Sequence, residues 1–289
     1  HFQSLWSVVT PKSKILITGR PNYFLSQNEM QSALGIHIRT KELPKFKTLS
    51  LQLFTDEQIL SALRSAEPSI QAGICSVIKD NNSPSFLDLI RRPSQLFQVS
   101  QIWEERHLAE KVQNLTSASI LNEFLLSNFE RQEEKGSQNP YFHLSSIERE
   151  YFMTGIAMRM YKMDVTAITR EFFEETIVKL IDIFPEQLSD KNPMSLNLRN
   201  GKSVKKFAQS GKESMLAIIN DVRTCGILIT DNANNGFCFA HKSFSDLLVA
   251  KYFQAQYLKQ YDSAMTISKT LSSSALFSAH LGRDLLIRK

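Results

Sequence analysis

Apolar positions change their spacing along the chain, and each change predicts an element. Phe2, Leu5, Trp6 and Val9 recur at i, i+3, i+4 and i+7, one face of a short helix that Pro11 ends. Lys14-Ile15-Leu16-Ile17-Thr18 is a continuous apolar run, the pattern of a strand buried on both faces in a parallel sheet. Gly19-Arg20-Pro21 leaves it at the C-terminal edge, where open α/β sheets bind their ligands. Thr48-Leu49-Ser50-Leu51-Gln52-Leu53 alternates as a half-buried strand does, and Thr55 with Gln58 three residues on predicts a capped helix start.

From about residue 55 to 190 the spacing is helical. Phe86, Leu87, Leu89 and Ile90 cluster before Arg91-Arg92-Pro93. Then come Leu121, Phe124, Leu125 and Phe129; Phe152, Ile156 and Met160; and Phe172, Phe173, Ile177, Leu180 and Ile181. Each set is the stripe of an amphipathic helix, so several short helices pack as a lid-like bundle. The last third differs. Residues 214–224 are helical, Gly226 stands where a helix stops, and Ile227-Leu228-Ile229 and Phe237-Cys238-Phe239-Ala240-His241 flank an Asn-rich turn, a β-hairpin pattern. Ser243 with Asp246 three residues on predicts the next helix cap. Helix, two-stranded wing and helix together predict a winged helix.

Composition narrows the class. Apolar content is ordinary and Gly is scarce, which excludes disordered and fibrous chains. No apolar run approaches the roughly 20 residues needed to cross a bilayer. Cys75, Cys225 and Cys238 form no CxxC pair, which argues against a disulfide framework or zinc site and for a reducing, cytoplasmic setting. A net charge of +5 favours weak contact with polyanions without making a nucleic-acid binder.

Candidate chemistry is sparse. Gly201-Lys202-Ser203 has Leu196 where a phosphate loop needs Gly, so it reads as a basic surface turn. Arg20 follows the buried strand into the crevice, although a surface Arg in a loop is the plainer reading. His241 ends an apolar strand just before a helix, where an anion would meet imidazole and helix dipole together; a core histidine bonded to backbone is the plainer alternative. Pro93 fits against an adenine ring or merely breaks a helix. Arg199, Lys202, Lys205, Lys206 and Lys212 form a basic stretch that raises DNA binding, but the helix meant for the groove carries Glu213 and Asp221 against Arg223. No hydrolytic or metal-binding motif stands out.

Ile15-Leu16-Ile17-Thr18-Gly19-Arg20-Pro21 resembles the sensor-1 strand and turn of NACHT ATPases, within the STAND class of signalling NTPases. The stretch from Leu51 to Ile59 is similar to the family's next strand and helix start, and Phe86 to Leu96 to its first helical subdomain. Gly236-Phe237-Cys238-Phe239-Ala240-His241-Lys242-Ser243-Phe244-Ser245-Asp246-Leu247-Leu248-Val249-Ala250 resembles its winged-helix signature.

The resemblance implies a mainly α chain with a small α/β remnant. Residues 1–54 would end the P-loop NTPase sheet, 55–190 form the helical subdomains, 191–258 the winged-helix domain, and 259–289 a helical linker towards a sensor region beyond Lys289. It implies Arg20 as the γ-phosphate sensor, His241 as the latch on the β-phosphate of ADP, and Pro93 as an adenine-lining residue; Arg91-Arg92 before Pro93 departs from the family pattern. Walker A and Walker B are absent from the sequence and expected upstream of His1. The parent would be a slow ATPase using ATP or ADP with Mg²⁺, and this chain alone would bind none and be inactive. Its partners would be the N-terminal half, an effector domain, further subunits on activation and a trigger ligand, in bacterial antiphage defence or other innate immunity. A winged-helix nucleic-acid binder and a helical interaction scaffold are the alternatives.

Overall fold

A computed structural model describes residues 51–80, 83–136, 143–189, 193–231 and 235–261. The chain divides into two compact units, His1–Leu53 and Phe54–Lys289, and the description falls almost wholly in the second. The strand expected at 14–18, Arg20 and the part of the expected 259–289 linker after residue 261 lie outside the described residues.

Residues 51–53 have no regular structure, and Leu51 and Leu53 are exposed, so the alternating run is not a strand over this part. Alternation buries a side chain only when a neighbouring layer covers one face. Phe54 instead donates its backbone N–H to the Arg91 carbonyl at 2.8 Å. Thr55 then caps helix α1 (Asp56–Ala62): its hydroxyl accepts from Gln58 N, and Gln58 Oε1 accepts from Thr55 N. Both bonds satisfy donors that the first turn leaves orphaned.

Helices α2 (Pro68–Asp80), α3 (Pro84–Ile90), α4 (Pro93–Ile102), α5 (Leu108–Lys111) and α6 (Ser117–Gly136) follow. Three of these open on Pro, whose missing N–H costs nothing at a first helical position. Ile59, Ile74, Phe86, Ile90, Val99 and Ile102 are buried with Trp103 in a first core that ends at Ile120 on α6.

A second core begins one residue later, at Leu121. It collects Phe129 from α6, Phe152 and Ile156 from α7 (Ser146–Met163), and Phe173 and Ile177 from α8 (Arg170–Asp182). Short helices α9 (Glu186–Ser189), α10 (Pro193–Leu198) and α11 (Val204–Ala208) lead to α12 (Lys212–Arg223), which adds Ile218 and Val222. Phe172 is exposed while Phe173 is buried, because adjacent helical residues point about 100° apart and Phe172 falls outside the face that buries Phe173, Thr176, Ile177 and Ile181.

Strands β1 (Ala167–Thr169), β2 (Leu228–Asp231) and β3 (Gly236–Phe239) form an antiparallel sheet in the order β1-β3-β2. Ile168 faces Phe237, which faces Thr230. The hairpin β2–β3 lies where alternation and turn residues predict it; β1 lies within a stretch whose spacing reads as helical. A 20-residue helix, α13 (Lys242–Tyr261), leaves β3 and packs mainly along α7. The described chain is thus mainly helical, with one small three-stranded antiparallel sheet.

Candidate functional site

His241 stands between sheet and helix. Ala240 N donates to the Ile227 carbonyl at 2.9 Å, which extends the β2–β3 pairing to the residue before it. His241 is exposed, so the core alternative does not describe it. Its Nδ1 accepts the Ser243 backbone N–H at 3.2 Å and lies 2.6 Å from Ser243 Oγ. Because α13 starts at Lys242, His241 is its N-cap and Ser243 already belongs to the first turn. The cap expected at Ser243 is therefore displaced by two residues: imidazole Nδ1 does what a Ser or Asp oxygen does elsewhere.

A row of aromatic rings leads from this cap towards Pro93. His241 meets Phe244 edge-on, with centroids 6.4 Å apart at 81°. Phe244 stacks on Phe124 of α6 at 6.1 Å, and Phe124 meets Phe97 of α4 at 6.2 Å. Pro93, the first residue of α4, is exposed, and so is Phe97 one turn further. Both are apolar and open, as a surface receiving a planar ring requires. Arg91 is committed elsewhere, bonded to Asp56 at 3.2 Å.

Three of the five basic residues in the stretch are engaged within the fold. Arg199 is fully buried and grips Glu148 through both terminal nitrogens at 2.8 Å. Lys205 donates to the Asp182 carbonyl, and Lys206 lies 3.6 Å from Glu186. On α12 the exposed positions are Lys212, Glu213, Leu216, Asn220 and Arg223, a mixed face whose N-terminal Lys212 is offset by Glu213, unlike the basic end of a recognition helix. Gly201-Lys202-Ser203 closes α10: Gly201, at φ +73°, donates N–H to Leu196 O at 2.7 Å, and Ser203 caps α11.

Glu148-Arg149-Glu150, on α7, carries no mark in the apolar pattern. Glu148 holds Arg199 and also completes a capping box with Ser145, whose N–H lies 2.8 Å from Glu148 Oε2. Arg149 pairs with Asp221 of α12, and Glu150 with Lys251 of α13. Asp221 Oδ2 further accepts the N–H groups of His143 and Leu144 at 2.6 and 2.8 Å. Burial, then the Arg199 guanidinium, hold the His143 imidazole below its ordinary range.

Cys225 is buried, and burial pushes its thiol up to about 12, which makes it inert. Cys238 is half-buried and sits opposite Ile229. All three thiols are free. Among the described residues, no group of His, Cys, Asp and Glu is arranged to hold a metal ion, and no helix is long and apolar enough to cross a membrane.

No family model matches the chain, and no solved structure matches it. Among curated proteins, an uncharacterized WD repeat-containing protein of Nostoc sp. (strain PCC 7120) is 22% identical over 262 residues. The match covers 89% of this chain, which spans only 15% of that protein's length.

Proposed function

We propose that this chain is the regulatory, nucleotide-sensing part of a NACHT-type signalling ATPase that alternates between a closed state with ADP and an open, oligomeric state with ATP. The observation that carries the reading is His241: an exposed imidazole at the N-terminus of a long helix, in the family-like sequence that runs from Gly236 to Ala250. Helix, strand, helices and hairpin from α7 to α13 support a winged-helix module, with β1 favouring a start well before residue 191. Pro93 and Phe97 suit an adenine, and His241 suits a phosphate; Arg20 is the proposed γ-phosphate sensor. Bound nucleotide would supply the differential contact that holds one state over the other. The WD-repeat name of the Nostoc relative favours a repeat-built sensor in the parent.

In this reading the chain, without Walker A, turns over no ATP by itself. In the parent protein, His241→Leu removes a charge-assisted bond of about 1.5–3 kcal/mol. ADP then leaves roughly ten- to a hundred-fold faster, and basal oligomerisation rises. An unchanged ADP off-rate in a folded variant makes His241 a capping residue only and overturns the proposal.

A further inference from the structure

The two ring nitrogens of His241 have different surroundings. Nδ1 faces its own helix, 3.2 Å from the Ser243 backbone nitrogen and 2.6 Å from Ser243 Oγ. A backbone N–H only donates, so the nitrogen it addresses is an acceptor, and the neutral ring carries its proton on Nε2. The Ser243 hydroxyl can turn its hydrogen towards the same Nδ1 lone pair. Phe244 flanks the ring edge-on, and a flipped ring would put Cδ2 where Nδ1 stands and lose both Ser243 contacts.

We infer that Ser243 is a positioning residue that commits His241 to the Nε2–H tautomer, so that the imidazole presents a donor and not an acceptor at the start of α13. The consequence is selective. With the proton on Nε2 the ring suits an oxyanion such as a nucleotide phosphate. In the other tautomer a lone pair would face that oxyanion and repel it. The second residue after the histidine thus sets the sign of the contact that the histidine makes. Only this consequence rests on the nucleotide reading; the tautomer is a property of the chain itself.

Nitrogen-15 and carbon-13 spectra of the histidine-labelled chain test it, with the His241 signals assigned by their loss in His241→Asn. At a pH where imidazoles are neutral, wild-type His241 should be Nε2–H alone. Ser243→Ala, which keeps the backbone donor but loses the hydroxyl, should admit a measurable Nδ1–H population, and Ser243→Thr should restore the wild-type spectrum. An Nδ1–H or mixed wild-type ring overturns the inference, as does a Ser243→Ala spectrum identical to wild type. In the parent protein, Ser243→Ala should release ADP about 3- to 10-fold faster, the loss of one neutral hydrogen bond's worth of affinity, with Ser243→Thr near wild type. A shifted tautomer with unchanged ADP release upholds the role of Ser243 and sinks the nucleotide reading instead.

Discussion

Glu148, Arg149 and Glu150 lie in the interior because each finds a partner on a different element: Arg199, Asp221 and Lys251. A buried ion pair gains little over a well-packed apolar pair, but removing one partner strands the other. Asp221→Ala leaves the Arg149 guanidinium and the N–H groups of His143 and Leu144 without the carboxylate that serves all three. It should cost about 3–5 kcal/mol, read as a fall in the denaturant midpoint at constant slope. Arg149→Met with Asp221→Leu should recover most of that loss. The exposed pair Arg170–Glu174 is the contrast, since Glu174→Ala should change stability by less than about 1 kcal/mol. If the double variant is no more stable than Asp221→Ala, charge stranding is not the cause. This cluster was not legible. Three consecutive helical residues sweep about 200°, which the polar face of an amphipathic helix holds without difficulty, so the run itself reads as solvent-facing. Which partners they meet depends on contacts from residues up to 101 positions away, and local spacing cannot report those. Arg199 shows the same blindness from the other side, reading as surface base while its side chain is sealed in the core.

At the scale of elements, helices α6, α7, α8 and α12 were readable because each runs long enough to establish its period, and the hairpin because an Asn-rich turn separates its two apolar runs. Strand β1 was not, since Ala167-Ile168-Thr169 is too short to show alternation and precedes a helix directly. It exists through pairing with β3, and that pairing explains Gly236. Gly236 sits on the central strand opposite Thr169. A Cβ added there would overlap the Ile168 carbonyl oxygen and lie 2.9 Å from Thr169 Cα. Both obstacles are backbone, so neither rotates away. Gly236→Ala should therefore force β1 off the sheet edge and cost about 3 kcal/mol, the upper part of the range for overpacking. Thermal unfolding measures the cost, and faster amide exchange in β1 than in α7 locates it. Equal exchange in wild type and variant would mean that the sheet absorbs the methyl group by a shift elsewhere.

Across the described molecule, periodicity identifies apolar faces without saying which of them meet. The stripe of α6, Leu121, Phe124, Leu125 and Phe129, reads as a single face, yet Ile120 closes the first core while Leu121, Leu125 and Phe129 belong to the second. Phe124 packs against both cores and touches Phe97 on one side and Phe244 on the other. Under the proposed function, Pro93 contacts nucleotide from the first core's side and His241 from the second's, so this ring stands where the two responses would be joined. With α6 shared, the two cores should open together in wild type, and hydrogen exchange should give similar opening free energies for residues 56–111 and 146–181. Phe124→Ala deletes the shared ring while leaving the α6 backbone in place. A fully buried Phe→Ala costs about 3–5 kcal/mol, and Phe124 is only partly buried, so the cost should fall near 2 kcal/mol. The loss should appear as separation: residues 56–111 exchange ahead of residues 146–181, and Trp103 fluorescence, recorded in a Trp6→Phe background, changes before the far-ultraviolet helical signal. Phe124→Leu should close part of the gap by restoring volume without the ring faces. Equal protection of both segments in Phe124→Ala would show that the α6 backbone alone couples the cores and that the aromatic row is packing without transmission.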